Sequence, residues 1–360
     1  MKLSASFRAS ERRSLARGPR ETGQLPTEVT IEHISEGGQR GRLIRLSAFF
    51  RRHKIEGDLI FVVVFLLLLG TFLSFASPYF FTKLNLTNVL LQASVLAIIG
   101  CGVTIVIVSG NFDLSVGSGL ALSMVVAALA MRHFDSIPIG LGAGIGVGIA
   151  IGLINGLAIT LLRVPSFIQT LAMLVIARGL AEAISGGRTV YPIPGAFFDF
   201  MNRDFLGVGM IFWIAVAVFA VFHLILRYTY LGVHFYAVGG NARAARVSGL
   251  PVARIQTTAL VLSGIGIGVA GVALLGRLGS GEPNAGTLVE LFAVAAVVLG
   301  GTSLFGGRGS VPRTMIGVLV ISVIQNGLDL MNVNPDLQQV ALGLVFIAAT
   351  ASGLVAERHS

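Results

Sequence analysis

Charge is scarce in this chain. Only 12% of its 360 residues are Asp, Glu, Lys or Arg, about half the roughly 25% of an ordinary soluble domain. That is too little to cover a water-facing surface. It excludes a soluble enzyme, a nucleic-acid-binding module and a disordered chain as the main reading. Cysteine occurs once, as Cys101 inside an apolar run, so no disulfide framework, CxxC pair or Cys/His metal site can be assembled. Lysine occurs only three times, and no glycine precedes any of the three, which removes a Walker A phosphate loop. There is no HExxH. The six histidines are scattered without acidic partners at ligand spacing. No Gly-x-Ser-x-Gly elbow exists. The sequence therefore predicts no enzyme, no cofactor and no metal, and any ATP hydrolysis must be supplied by another chain.

What is abundant is apolar surface: 54% of residues, with a mean hydropathy of +0.85. A helix needs roughly 20 apolar residues to cross the hydrocarbon. Ten runs qualify, at about 59–76, 87–108, 114–131, 138–162, 166–185, 207–226, 256–276, 287–304, 312–330 and 337–354. The expected fold class is an all-α polytopic membrane protein of about ten transmembrane helices. Small residues stud the runs, with Gly140, Gly142, Gly144, Gly146, Gly148 and Gly152 in the fourth alone. Small residues let helix backbones approach closely, so the spans are expected to form one packed bundle.

Charge is concentrated at one end. Residues 1–57 carry 12 Lys+Arg and 6 Asp+Glu, against 14 and 11 in the remaining 303. They read as a basic, largely disordered cytoplasmic tail, followed by a transmembrane domain over 58–356. The stretch 43–52, basic and apolar, suits the lipid interface. A basic segment ahead of an apolar body belongs on the inner face. Ten spans then put both termini in the cytoplasm, and the expected location is the inner membrane. The longest outer segment, about 186–206, holds Pro192, Pro194, Phe197, Phe198 and Phe200 and suits an interfacial cap over a cavity.

Two stretches look alike. Ile154-Asn155-Gly156-Leu157 precedes Pro165 and Ser166-Phe167-Ile168-Gln169, and Gln325-Asn326-Gly327-Leu328 precedes Pro335 and Asp336-Leu337-Gln338. They fall in spans four and five and in spans nine and ten. An odd offset of five helices turns the second copy over in the membrane, the inverted-repeat logic of many transporters. Chance similarity in Gly/Leu-rich sequence is the alternative.

Three segments carry further information. In Ser109–Ser118, Asp113 is placed to cap the following helix. In the inner loop Arg227–Arg254, Asn241 is a good N-cap, Gly249 a good residue just past a helix end, and Pro251 a stop. Between them lies a short Ala-rich helix with Ala244, Ala245 and Ser248. Its Arg243 and Arg246 stand three apart on one side, and its small residues suit docking into a partner's groove. A solvated basic loop would explain the arginines but not such complete capping. In Ala293–Ser310, a glycine-dense run ends a span beside an expected partner.

Taken together, these segments resemble the membrane permease subunit of bacterial ABC importers for monosaccharides, the ribose/xylose/arabinose/galactoside class. The resemblance runs from about 85 to 350. It is carried by Asp113-Leu114-Ser115-Val116-Gly117-Ser118, Asn155-Gly156 with Arg163-Val164-Pro165-Ser166-Phe167, and Ala177-Arg178-Gly179-Leu180. Further on come Gly239-Gly240-Asn241 with Ala244-Ala245-Arg246, Arg277-Leu278-Gly279-Ser280, and Val297-Val298-Leu299-Gly300-Gly301-Thr302-Ser303. The chain departs from the family pattern at Gly110-Asn111-Phe112, usually Gly-Gly-Ile, and at Glu290-Leu291-Phe292, usually Glu-Leu-Asp. The resemblance implies a pore-forming subunit in a dimer of permeases. A separate ABC ATPase docks on the cytoplasmic face, a periplasmic solute-binding protein delivers the sugar, and residues 241–249 act as the coupling element.

Other solutes on the same architecture are a polyol, a nucleoside or a branched-chain amino acid. An ion-coupled secondary carrier is the rival class. It calls for a mid-membrane carboxylate, and Asp113, Glu182, Glu290 and Asp329 all sit toward predicted span ends. Gln92, Asn155, Gln169 and Asn326 are the candidate substrate-path residues, because polar side chains facing lipid are costly. Asn155 and Asn326 occupy matching places in the repeat and are expected to meet near the midplane. Hydrogen bonding between helices is the alternative role for these amides.

Overall fold

The structure is a computed structural model that describes residues 62–334, 336–344 and 347. The tail at 1–57 and the interfacial stretch at 43–52 lie outside the described residues. The helices are α1 (Val62–Ala76), α2 (Lys83–Val108), α3 (Val116–Phe134), α4 (Ile137–Leu161), α5 (Ser166–Ser185), α6 (Gly195–Asn202), α7 (Met210–Tyr228), α8 (Tyr230–Gly240), α9 (Ala242–Val247), α10 (Val252–Leu278), α11 (Val289–Leu299) and α12 (Val311–Leu330). Residues 336–344 are helical again. A two-residue hairpin, β1 (Asp204–Phe205) against β2 (Val208–Gly209), links α6 to α7. Among the described residues, seven helices are long and apolar enough to cross a membrane: α2, α3, α4, α5, α7, α10 and α12. The chain is a polytopic all-α membrane protein.

Among the described residues each apolar run falls on a helix, the start of the first run and most of the tenth, beyond residue 344, lying outside them, and one expectation fails. The run at 287–304 is not a full span. α11 has 11 residues, about 16 Å at 1.5 Å per residue, half the hydrocarbon thickness. Residues 279–288 before it are non-helical. Gly301, at φ +79°, turns the chain just beyond it.

α2 and α10 form the centre and run antiparallel: Gly102 packs on Ser263, and Gly266 faces Ile98. α10 also receives α4 along its length. A Cβ on Gly268 would lie 2.6 Å from Ile145 Cα, and one on Gly152 2.9 Å from the Leu260 carbonyl carbon. α12 packs on α2 in the same way, with Gly100 against Thr314. The two halves thus share one plan. Long α2 and long α10 each lead through a non-helical connector into a helix, α3 or α11, and then into α4 or α12. Apolar side chains on α5 and α7, such as Val175, Ile176, Val221 and Leu224, face outward, as they do on a bundle solvated by lipid or by further protein. At one end of the bundle sit α8 and α9. At the other, α6 buries Phe197 and Met201 over Gly276, so the cap expected there closes the end of α10.

Candidate functional site

The three segments marked by the sequence meet at the α9 end. Gly307 N–H donates to Val108 O at 2.9 Å. Gly306 approaches Gly110, Gly307 approaches Gly240, and Gly239 lies against the Val108 carbonyl. Side chains at these positions would hold the three backbones apart, which accounts for the glycine density. Tyr236 of α8 clamps the assembly by donating its hydroxyl to Gly309 O at 2.7 Å. Burial pushes the phenol's pKa up, against the opposing pull of Arg227 and Arg313, so the group stays protonated and donates.

α9 is capped as its residues require. Asn241 Oδ1 accepts from Ala244 N–H at 2.9 Å. At the other end Leu250 N–H donates to Ala245 O, and Gly249 N–H donates to Arg246 O, both at 3.0 Å. With Gly249 at φ +85°, this is the double bond pattern of a Schellman cap. Ser248 N–H donates to Ala244 O. The two alanines part company. Ala245 is 6% exposed and packs with Phe235, Val238, Val252 and Ile255, so it anchors α9 to its own bundle. Ala244, Arg243 and Arg246 point outward, as does Val247, which is 85% exposed. Val247 was missed by sequence reasoning; an apolar residue directly after Arg246 at the end of a capped helix was its only signal. Beside α9 is a cleft of about 570 Å³ lined by Ile159, Thr160, Arg163, Arg246, Val252, Ala253 and Gln256.

A second polar cluster lies deep in the bundle. Asp113, fully buried, accepts on Oδ1 from Ser115 Oγ (2.6 Å) and Ser115 N–H (3.1 Å), and on Oδ2 from Ser263 Oγ (2.9 Å). The cap expected from Asp113 is not formed, since Ser115 is the N-cap of α3 and no side chain caps it; Asp113 instead holds Ser115 and joins it to α10. Ser115 Oγ accepts in turn from Asn155 Nδ2 at 3.0 Å, and Asn155 Oδ1 from Gln169 Nε2 at 3.3 Å. Two of the four candidate path amides therefore belong to one network. Asn326 is elsewhere, in a reciprocal amide pair with Asn85 at 2.9 and 2.8 Å. Asn155 and Asn326 do not meet; each is buried in its own helix contact. Gln92 is half-buried and makes no hydrogen bond to the described residues. The partners Asn85, Ser115 and Ser263 carried no periodic or spacing signal.

The start of α11 lies against the start of α3. Glu290 Oε2 touches the space a Cβ on Gly117 would fill and has no hydrogen-bond partner among the described residues. Arg178 of α5, within the field of Glu290, donates to the carbonyls of Pro283 and Ala285 at 2.7 and 2.8 Å. Among the described residues no three His, Cys, Asp or Glu side chains group to hold a metal ion.

A glycine-locked bundle with two non-helical connectors and a capped surface helix suits a transport permease. Residues 85–350 match the family described as branched-chain amino acid transport system / permease component, and the chain belongs to that family. It is 38% identical over 288 residues to the L-arabinose ABC transporter permease AraH of Azospirillum brasilense, covering 80% of this chain and 85% of that protein. It is 39% identical over 296 residues to the ribose import permease RbsC of Escherichia coli, covering 80% and 91%. It is also 36% identical over 321 residues to the probable ABC transporter permease YphD of Escherichia coli, covering 89% and 96%. No solved structure matches the chain.

Proposed function

We propose that this chain is the pore-forming permease of an ATP-driven importer that carries a monosaccharide across the bacterial inner membrane. The observation that carries the reading is the likeness, over about four-fifths of the chain, to permeases named for arabinose and ribose. In this reading two copies form the passage, a binding protein delivers the sugar on the α6 side, and a separate ABC ATPase docks on α9 through Arg243, Ala244, Arg246 and Val247. The short helix suits that role because it is capped at both ends and pinned by Ala245, so a push on it moves α8 and α10 as one body. Gln92 and Gln169 remain the path amides with the most freedom to meet a solute.

The test is uptake by vesicles holding the permease with its ATPase and binding protein. Radiolabelled ribose and arabinose should accumulate on addition of ATP, and excess leucine, a polyol or a nucleoside should not compete. Competition by leucine would favour the branched-chain amino acid reading that the family's description carries. Uptake without the ATPase that collapses with a protonophore would point to an ion-coupled carrier.

A further inference from the structure

α10 gives a ruler for depth. Arg254 and Arg277 bracket it, 277 − 254 = 23 residues apart. That is about 34 Å at 1.5 Å per residue, close to the hydrocarbon thickness of about 30 Å. Its midpoint lies near Gly266. Ile267 packs on Gly119, and Ser263 bonds Asp113, so α3 begins near the membrane centre, and Asp113 lies there too rather than toward a span end as its sequence position suggested. The connector from α10 to α11 follows α3 inward from the α6 end. Gly281 lies against Ala128, and Gly286 against Gly117. Residues 279–288 thus descend to the membrane centre without forming a helix.

Irregular backbone at that depth does not face lipid; it is buried in protein or lines water. One side of this connector is closed. Arg178 holds two of its carbonyls, and Ala285 packs against the cluster of Ala121, Met173 and Ala177. The other side is open. Asn284 and Thr287 are exposed there, and the Asn284 side chain makes no hydrogen bond to the described residues. Burying that amide against hydrocarbon, or in a dry contact without a partner, is unfavourable, so the exposed face calls for a polar surrounding.

We propose that the connector 279–288 is a fixed wall of the aqueous passage, presenting Asn284 and Thr287 to the solute as it crosses the membrane centre. The Asn284 amide donates and accepts, while the Thr287 hydroxyl, which donates to the Asn284 backbone carbonyl at 2.9 Å, offers acceptor lone pairs; this suits a neutral solute bearing hydroxyls, and Arg178 fastens the wall from behind. The inference rests on the permease reading and names the residues of its path.

Single-cysteine labelling tests it in the complete importer. The native Cys101 is fully buried, so its background is low. Asn284→Cys and Thr287→Cys are treated with a membrane-impermeant methanethiosulfonate sulfonate, with and without ATP and transport substrate. Val221→Cys on the outer face of α7 is the lipid-facing control, and Leu206→Cys in the exposed hairpin turn the accessible one. The expected result is modification of both connector cysteines and of Leu206→Cys but not of Val221→Cys, with at least a tenfold fall in uptake once the connector is modified. Connector cysteines that stay unreactive in every state while Leu206→Cys reacts, that form a disulfide with the second copy instead, or that react without loss of uptake overturn the proposal. Labelling is read apart from solute identity. Connector modification that blocks uptake of a solute other than a sugar would defeat the monosaccharide reading and leave the wall standing.

Discussion

Asp113 and Ser263, 150 residues apart in the chain, meet at 2.9 Å inside the bundle. The same carboxylate holds the first turn of α3 through Ser115. One buried side chain therefore ties the point where α3 starts to the middle of α10.

Asp113→Ala should be severe. It strands the Ser115 and Ser263 donors, each at about 1–3 kcal/mol, and frees the N-cap residue of α3, Ser115, from α10. Folded yield in detergent should drop several-fold. Ser263→Ala removes one bond and should lower the melting temperature by a few degrees with yield nearly intact. Equal, mild effects of the two changes would contradict the hub role.

The glycines of α4 divide into two classes. Gly144, Gly148 and Gly152 sit within contact of other backbones, whereas Gly142 and Gly146 have nothing within 4 Å. Gly148→Leu should prevent the α4–α10 contact and abolish folded protein. Gly142→Ala and Gly146→Ala should leave melting unchanged or raise it, since alanine favours helix by roughly 0.5–1 kcal/mol. Thermal unfolding followed by tryptophan fluorescence of Trp213 reads the difference.

On α9 the outward and inward positions should separate coupling from folding. Val247→Glu and Ala244→Glu should reduce ATP-linked uptake at least tenfold while insertion and melting stay normal. Ala245→Glu places a carboxylate among Phe235, Val238 and Ile255 and should reduce folded yield instead. Pull-down of the ATPase with each variant distinguishes the two outcomes.

The Asn85–Asn326 pair should act in packing. Asn326→Ala leaves Asn85 Oδ1 without a donor, while Asn85 Nδ2 keeps the Phe80 carbonyl at 2.9 Å; it should cost more stability than Asn326→Asp, whose carboxyl can still bond Asn85. Interhelical bonds of this kind average about 0.6 kcal/mol in membranes, so the effect is a few degrees of melting temperature. Uptake per folded molecule should not change. A loss of uptake at full stability would return Asn326 to the path.

Much of this protein was legible without a structure. Hydropathy placed the helices because transfer into lipid depends on a run's own composition, and the caps of α9 were visible because Asn241 and Gly249 act within a few residues of themselves. Family motifs marked the segments at 109–118, 239–251 and 293–310, although not that they converge. Everything that depends on which face meets which partner came from tertiary packing. Only the approach of α10 separates Gly148 from Gly146. Ala245 and Ala244 are adjacent identical residues divided by the direction of one helical turn. Asn326 matched Asn155 in pattern, yet its bond goes to Asn85, 241 positions away. α11 is apolar enough to span but stops half-way, because Arg178 and the start of α3 hold the connector before it at the membrane centre. Such pairings are set by long-range contacts between helices, which local composition and periodicity do not encode.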